Sequence, residues 1–142
     1  MPVLTQPPDL LHRDDVAVML ATTDDELGAI RLLWPRFEQL VGLRGRKMYA
    51  VVDAAAGTYT TCTPLRPDDD PEALGLQRGA LAGGSYRRGR LHGEPPGVYA
   101  SIGPAMDEVA GAGPVDPTRP WVEFYRRRDE IQLWVPVPVR AL

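Results

Sequence analysis

A carboxylate lies among aromatic residues near the end of this chain, in the segment WVEFYRRRDEIQLWVPV (residues 121–137). The segment predicts two strands joined by a charged turn. Because successive side chains of a strand point to opposite faces, Trp121, Glu123 and Tyr125 share one face of the first strand. We expect Trp134 of the second strand on this same face, with the aliphatic residues facing helices on the other side. A carboxylate among rings is a poor core component and a good ligand contact.

Glu123 is therefore the first candidate for a functional group. Desolvation between aromatic rings is expected to raise the pKa of its carboxyl group. The carboxylate then serves either as the counter-charge of a cationic ligand or as a general base that activates water. The structural alternative is that Glu123 lies at a rim and pairs with one of the arginines of residues 126–128.

The rings next to this carboxylate predict the wall of a binding pocket. Trp121, Tyr125 and Trp134 would each attract a cation by about 0.5–2 kcal/mol and would cover a large flat ligand. Any single ring fits a core cluster nearly as well. The face that they are expected to share with Glu123 is what favours a pocket.

Tyr49 and Trp34 are the candidates from the first half of the chain. Tyr49 lies in the middle of a predicted strand, and Trp34 adjoins the apolar stripe of a predicted helix. In an enzyme, the hydroxyl of Tyr49 or Tyr125 would orient water or stabilise an oxyanion. Tyr59, by contrast, is interpreted as an ordinary sheet residue.

Length and composition predict one domain of an ordinary globular protein. The chain has 142 residues, of which 44% are hydrophobic and 25% charged, and a net charge of −3 that argues against a nucleic-acid surface. A single Cys62 excludes an internal disulfide, and no metal-ligand spacing or phosphate-binding glycine loop occurs, so neither a metal nor a cofactor is expected. With no signal peptide and no apolar run of membrane-spanning length, we predict a cytoplasmic protein.

The order of predicted elements repeats itself. After a proline-rich arm at residues 1–9, the first half predicts a strand, a helix and two strands, at residues 15–21, 24–41, 46–53 and 58–65. A capping box of Thr23 and Glu26 begins the helix, and Pro35 is expected to kink or split it.

The second half predicts a long strand region at residues 76–91, bent at Gly83 and Gly84, and a helical stripe at residues 98–109. The hairpin described above closes the chain. Two units of strand, helix, strand and strand predict an α+β domain with both helices on one face of the sheet.

Two segments resemble the GyrI-like small-molecule-binding domains. ALAGGSYRRGRLHGEPPGVYASIG is similar to that family's small-Gly-Gly-x-Tyr strand, basic patch and glycine turn, and PTRPWVEFYRRRDEIQLWVPV resembles its closing hairpin. IRLLWPRFEQL and MYAVVD, in the first half, are compatible with the first repeat. The specific part of the resemblance covers about the last sixty residues.

The resemblance implies a duplicated βαββ fold, with repeats at about residues 14–66 and 76–139, a mixed or antiparallel sheet, pseudo-twofold symmetry and a ligand groove between the repeats. It implies that Glu123 matches the family's pocket glutamate. In that family the domain binds lipophilic, often cationic drugs as the effector-binding domain of AraC-type and MerR-type multidrug regulators. It also occurs alone, and this chain resembles a stand-alone member because no helix-turn-helix fits before residue 15.

Two functions remain open on these grounds. The first is the binding of flat, lipophilic, cationic small molecules in an aromatic pocket with a buried glutamate, for recognition or sequestration. The second is a hydrolase that opens strained cyclopropane rings of DNA-alkylating natural products by adding water, which the resemblance implies because some stand-alone members of the family are similar to such enzymes. Glu123 would be the base and Tyr49 or Tyr125 the oxyanion partner. A surface-acting inhibitor of another macromolecule is a third, weaker option.

Overall fold

A computed structural model describes residues 3–138. Residues 1, 2 and 139, which belong to the predicted arm and second repeat, lie outside the described residues. The strands are β1 (Asp9–Arg13), β2 (Val16–Asp24), β3 (Met48–Asp53), β4 (Thr58–Pro64), β5 (Gln77–Leu81), β6 (Gly84–His92), β7 (Trp121–Arg127) and β8 (Glu130–Pro136), and the α-helices are α1 (Leu27–Val41) and α2 (Ile102–Gly111). Short 3-10 helices cover Glu72–Leu74 and Gly97–Ser101.

All eight strands form one antiparallel sheet in the order β1-β6-β8-β7-β3-β4-β2-β5. The order reads symmetrically outward from the central pair of β7 and β3. On one side follow β8, β6 and β1, and on the other β4, β2 and β5. Each half of the chain therefore supplies the same set of strands. The first strand of each half pairs with the other half at its edge, β1 with β6 and β5 with β2. The predicted α+β class with a duplicated element order is confirmed.

The edge strands correct two details of the predicted order. A strand that was not predicted, β1, begins at the last residue of the predicted arm and pairs with β6 from Asp9 to Arg13. The predicted long strand at residues 76–91 is two strands, because the chain leaves β2 after Leu81 and pairs with β8 from β6 onward. The two strands separate at the bend predicted at Gly83 and Gly84, but the sequence could not show that they pair with different strands.

Gly83 lies at the corner between these two strands. A β-carbon at this position would lie 2.5 Å from the carbonyl oxygen of Arg13 and 2.6 Å from the amide nitrogen of Asp15. Its own amide donates to the Asp15 carboxylate at 2.6 Å. Only glycine lets the β5–β6 corner touch the β1–β2 corner this closely, and the contact brings the two edges of the sheet together.

The sheet is strongly curled, so one of its faces lies inside the curl and the other lies outside. We call the face inside the curl the inner face. Its buried side chains form one cluster contributed by seven strands: Val18, Tyr49, Cys62, Leu81, Tyr86, Val122 and Trp134. A flat sheet could not bring β2 and β6 into one cluster, because four strands separate them.

Both helices pack on the other face, which we call the helix face. Under α2, the buried cluster includes Leu91, Val109, Ile131 and Leu133. Under α1, the cluster is smaller, and Phe37 is the one buried residue of that helix. The central strands β3 and β7 run between these two clusters, and we call the part of the helix face over them, between α1 and α2, the groove.

The start of α1 differs from its prediction. Thr23 pairs with Tyr59 inside β2, so it does not form a capping box. Glu26 is the N-cap instead, and its carboxylate accepts hydrogen bonds from the amides of Gly28 at 2.9 Å and Ala29 at 3.3 Å. The helix then continues through Pro35 to Val41, so of the two predicted effects of Pro35, a kink or a split, the split does not occur.

Candidate ligand site

The register of the last hairpin moves Trp134 away from Glu123. Glu123 pairs with Leu133, and Trp134 pairs with Val122, so Trp134 lies on the inner face. The predicted shared face of Glu123 and Trp134 is therefore wrong. The reason is an irregularity between Tyr125 and Arg127, which adds one residue to β7 next to the turn. One extra residue exchanges the two faces of a paired strand, and alternation along a single strand cannot reveal it.

Tyr49 also lies on the inner face. It pairs with Phe124 across β3 and β7, and the two rings stack with centroids 4.5 Å apart. Trp134 meets the Tyr49 ring edge-on at 5.7 Å. Tyr49 and Trp134 thus contact each other but not the groove that holds Glu123, and the prediction that they line one pocket with Glu123 is corrected.

Glu123 lies on the helix face between α1 and α2, and it is 7% exposed. Its Oε1 accepts a hydrogen bond from the Tyr125 hydroxyl at 2.6 Å and another from the Tyr59 hydroxyl at 2.9 Å. Among the described residues, no group donates to Oε2. A carboxylate buried with two donors on one oxygen leaves the other oxygen for a ligand.

Trp34 connects α1 to the hydrogen-bonded group of Glu123, Tyr59 and Tyr125. Its indole nitrogen donates to the Tyr59 hydroxyl at 2.9 Å, and its ring meets the Tyr125 ring edge-on at 5.0 Å. The hydrogen bonds form a chain from Trp34 through Tyr59 to Glu123. Trp34 and Tyr125 are each half-buried, so they form the boundary between the buried carboxylate and solvent.

Trp121 lies on the same face of β7 as Glu123, two residues earlier. It is half-buried and packs against the cluster under α2. The groove therefore has one indole on each side, Trp34 from α1 and Trp121 below α2. Of the predicted site residues, the helix face brings together Glu123, Tyr125, Trp34 and Trp121.

Within the part of the chain that the structure describes, Glu123 has no cationic partner. Arg126 pairs with Glu130 at 3.2 Å and Arg128 with Glu94 at 3.8 Å, so the predicted alternative of an arginine from the turn does not occur at these two residues. Burial raises the pKa of Glu123, the two tyrosine hydroxyls oppose that rise, and the negative charge of Asp25 adds to it. The site thus combines an unpaired buried carboxylate with a second negative charge nearby.

The two tyrosines are hydrogen-bond donors at any physiological pH. Burial, together with the charge of Glu123, raises the pKa of Tyr59 and of Tyr125 well above the ordinary value for a phenol. Both hydroxyls therefore keep their protons and direct them to Oε1. They stabilise the ionised form of Glu123 without neutralising it.

Tyr59 is the member of this site that the sequence interpretation missed. It belongs to β4 and pairs with Val52, which in turn pairs with Trp121 across the centre of the sheet. The symmetric order of elements was the available signal, because it places β3 beside β7 and hence β4 one strand away from Glu123. Alternation within the β4 segment alone carries no such information.

The described residues offer no metal site, since no group of three or more His, Cys, Asp or Glu side chains is arranged to hold an ion. No helix among them combines the length and apolar character needed to cross a bilayer.

No protein-family model and no curated protein sequence matches this chain. Solved structures do share its fold. An integron cassette protein from the mobile metagenome of Vibrio cholerae matches with a TM-score of 0.71 at 18% identity, covering 94% of this chain and 97% of the other. The protein SAV2435 bound to tetraphenylphosphonium matches with a TM-score of 0.67 at 14% identity, covering 95% and 96%.

A hydrolase from Listeria innocua matches with a TM-score of 0.55 at 11% identity, covering 97% of this chain and 94% of its own. At these identities the likeness concerns the fold alone. It fits the architecture that the GyrI-like resemblance implies, and it covers nearly the whole length of each protein.

Proposed function

We propose that this chain is a GyrI-like protein that binds a lipophilic, aromatic cation in the groove between α1 and α2. The observation that carries the proposal is the environment of Glu123, a buried carboxylate that has aromatic neighbours and no cationic partner in residues 3–138. Burying a charge without a counter-charge is unfavourable, and a cationic ligand removes that penalty when it binds.

The rings around the carboxylate select the shape of the cation. Trp34 and Tyr125 are arranged edge to face at 5.0 Å, and Trp121 borders the same groove. Aromatic faces attract a cation and also bury apolar surface, so they favour organic cations with rings over small hydrated ions. Tetraphenylphosphonium, the ligand of SAV2435, has this chemistry.

Entry of a ligand requires the rings to separate, and α1 is the element built to allow it. Phe37 is the one buried residue in its fifteen, whereas α2 buries three of its ten. Leu27 and Leu32 of α1 are 60% and 78% exposed, so the N-terminal half of the helix is held by few apolar contacts. Elements with little buried apolar area open at low free-energy cost. Movement of α1 would carry Trp34 away from Tyr125.

A pair of ligands with matched shape tests the proposal directly. Tetraphenylphosphonium and tetraphenylborate are nearly the same size and carry opposite charges. We expect the protein to bind the cation more than about 100-fold more tightly, because placing an anion beside Glu123 costs several kcal/mol. Tryptophan fluorescence and titration calorimetry measure both affinities. Equal affinity for the two ions would mean that the groove recognises only apolar surface, and the proposed role of Glu123 would be wrong.

The pKa of Glu123 gives this binding a definite pH dependence. The ionised carboxylate is the form that attracts a cation, and its pKa in the free protein is raised above 4.5 by burial. Tetraphenylphosphonium affinity should therefore be full above the raised pKa and fall as the pH is lowered through it. An affinity profile from pH 8 to pH 4 measures the effect. Constant affinity down to pH 4.5 would contradict it, provided that circular dichroism shows the protein folded.

Hydrolysis of strained rings is the second candidate. A carboxyl group with a raised pKa beside two protonated hydroxyls has the components of a general base with oxyanion donors, and one protein of this fold is described as a hydrolase. In this site Glu123 would activate water, and Tyr125 or Tyr59 would donate to the developing anion. Tyr49, the other predicted catalytic residue, lies on the inner face and has no place in this arrangement.

A further inference from the structure

A cavity that is separate from the groove between α1 and α2 opens where β3 begins and β4 ends, and Tyr49 of the inner face contributes to its wall. Its volume is about 360 Å³, within the range of small-molecule sites. None of the residues of the Glu123 site contributes to it. Four of its lining side chains are basic, and they come from three separate parts of the chain: Arg13, Arg46, Lys47 and Arg66.

One of these four charges is compensated. The Arg46 guanidinium contacts the Asp69 carboxylate through two hydrogen bonds, at 2.6 Å and 2.8 Å, and the side chains are 7% and 9% exposed. This contact lowers the pKa of Asp69 to about 2, so the pair stays ionised and neutral overall. In the described residues, Arg13, Lys47 and Arg66 have no ion-pair partner. Three uncompensated positive charges thus meet at one cavity of a chain whose net charge is −3.

Two of the arginines are held in position. The Arg13 guanidinium lies 4.9 Å from the centre of the Trp134 ring and donates to the Tyr49 hydroxyl at 3.3 Å. The Arg66 guanidinium donates to the Arg44 carbonyl at 3.0 Å. It occupies the space beside Gly45, where a β-carbon would lie 2.9 Å from it.

One donor of a residue that lines the cavity lacks an acceptor. The Nε of Arg46 is buried, and no described residue accepts a hydrogen bond from it. Buried charged donors without a partner are rare in native proteins, and one explanation is an ion or ligand that completes the site. Guanidinium groups held in fixed positions beside a cavity, as those of Arg13 and Arg66 are, are features of a site prepared for an anion.

We propose that this cavity binds a small phosphate monoester. A phosphate monoester carries between one and two negative charges at neutral pH, which suits three uncompensated cations, and its oxygens accept paired hydrogen bonds from guanidinium groups. The half-buried side chains of Val16 and Leu65 give the organic part of the ester an apolar wall. This inference goes beyond the proposed function, since the groove at Glu123 selects cations.

Phenyl phosphate is the probe, and titration calorimetry at low salt is the measurement. We expect saturable binding to the wild-type protein, reduced about tenfold or more in Lys47→Gln and in Arg66→Gln, since each removes one charged contact to the phosphate. Lys47 and Arg66 are exposed, so both variants should keep the wild-type unfolding midpoint. Arg127→Gln, an equal change of charge at an exposed position of β7 outside the cavity, is the matched control and should bind as wild type does.

Tetraphenylphosphonium affinity is a second readout, and Lys47→Gln should leave it unchanged. Three results would overturn the inference: no saturable binding of phenyl phosphate, wild-type affinity in both cavity variants, or an equal loss in Arg127→Gln. The last would indicate general electrostatic attraction without a site. Each result is independent of whether Glu123 binds a cation.

Discussion

Replacing Glu123 with glutamine is expected to weaken tetraphenylphosphonium binding by about 30-fold or more, which corresponds to about 2 kcal/mol. Glutamine keeps the size of the side chain and an oxygen that accepts from Tyr59 and Tyr125, and it removes the charge. Stability should be unchanged or higher, because the carboxylate is buried without a cationic partner in residues 3–138 and its ionised form is disfavoured. Titration calorimetry and thermal unfolding measure the two effects.

Glu130→Gln is the matched control. Glu130 is a second buried glutamate of the same hairpin, 8% exposed, and it pairs with Arg126. Its replacement should lower stability slightly by breaking that pair and should leave cation affinity unchanged. If Glu123→Gln instead lowered the unfolding midpoint substantially and still bound tetraphenylphosphonium normally, Glu123 would be a structural residue and the groove would lose its assigned ligand.

A comparison of the wild-type protein with Glu123→Gln distinguishes the two candidate functions, ligand binding and hydrolysis. A cyclopropane-bearing alkylator incubated with wild type and with Glu123→Gln is analysed by mass spectrometry. A product heavier by one water, formed with wild type alone, would identify an enzyme with Glu123 as its base. Recovery of the alkylator unchanged, together with tight binding of tetraphenylphosphonium, would identify a binding protein.

Local patterns were sufficient for the strand, helix, strand and strand that recur in both halves, but not for the edge strands β1 and β5. The alternation of residues 121–125 and the helical stripes of α1 and α2 follow from side chains burying one face, and they predict the α+β class correctly. Alternation also predicts that Trp121, Glu123 and Tyr125 share one face, because the three lie on one strand. Their shared face can therefore be predicted without knowing which strands are its neighbours. The central carboxylate of the candidate site was therefore available from the sequence.

The features of the fold and of the candidate site that the sequence did not predict depend on contacts between strands that are distant in the chain. A one-residue irregularity beside the β7–β8 turn places Trp134 on the inner face, in a cluster to which seven strands contribute. Tyr59 reaches Glu123 only because β3 and β7 are neighbours at the centre of the sheet. The exchange of β1 and β5 between the halves likewise depends on pairing between distant parts of the chain, and it brings the corner at Gly83 against the backbone of Arg13 to Asp15. Such features become visible when the whole sheet is assembled.

Removing the Trp134 ring is expected to have the largest effect on stability of any change considered for this protein. Trp134 is 1% exposed, its ring centre lies within 6 Å of those of Tyr49, Tyr86 and Phe124, and the Arg13 guanidinium lies over it. Trp134→Ala should lower the free energy of unfolding by about 3–5 kcal/mol, the usual cost of truncating a buried large aromatic residue. Urea denaturation measures the loss.

Trp121→Ala is the contrasting change on the other face. Trp121 is half-buried beside the groove, so its removal should cost no more than about 2 kcal/mol of stability and should weaken tetraphenylphosphonium binding several-fold. Trp134→Leu, which keeps an apolar side chain in the inner cluster, should retain the fold and wild-type cation affinity. A loss of affinity in Trp134→Leu as large as that in Trp121→Ala would place Trp134 at the ligand. The two faces of the sheet would then not be separate in function, because one indole would serve both the inner cluster and the groove.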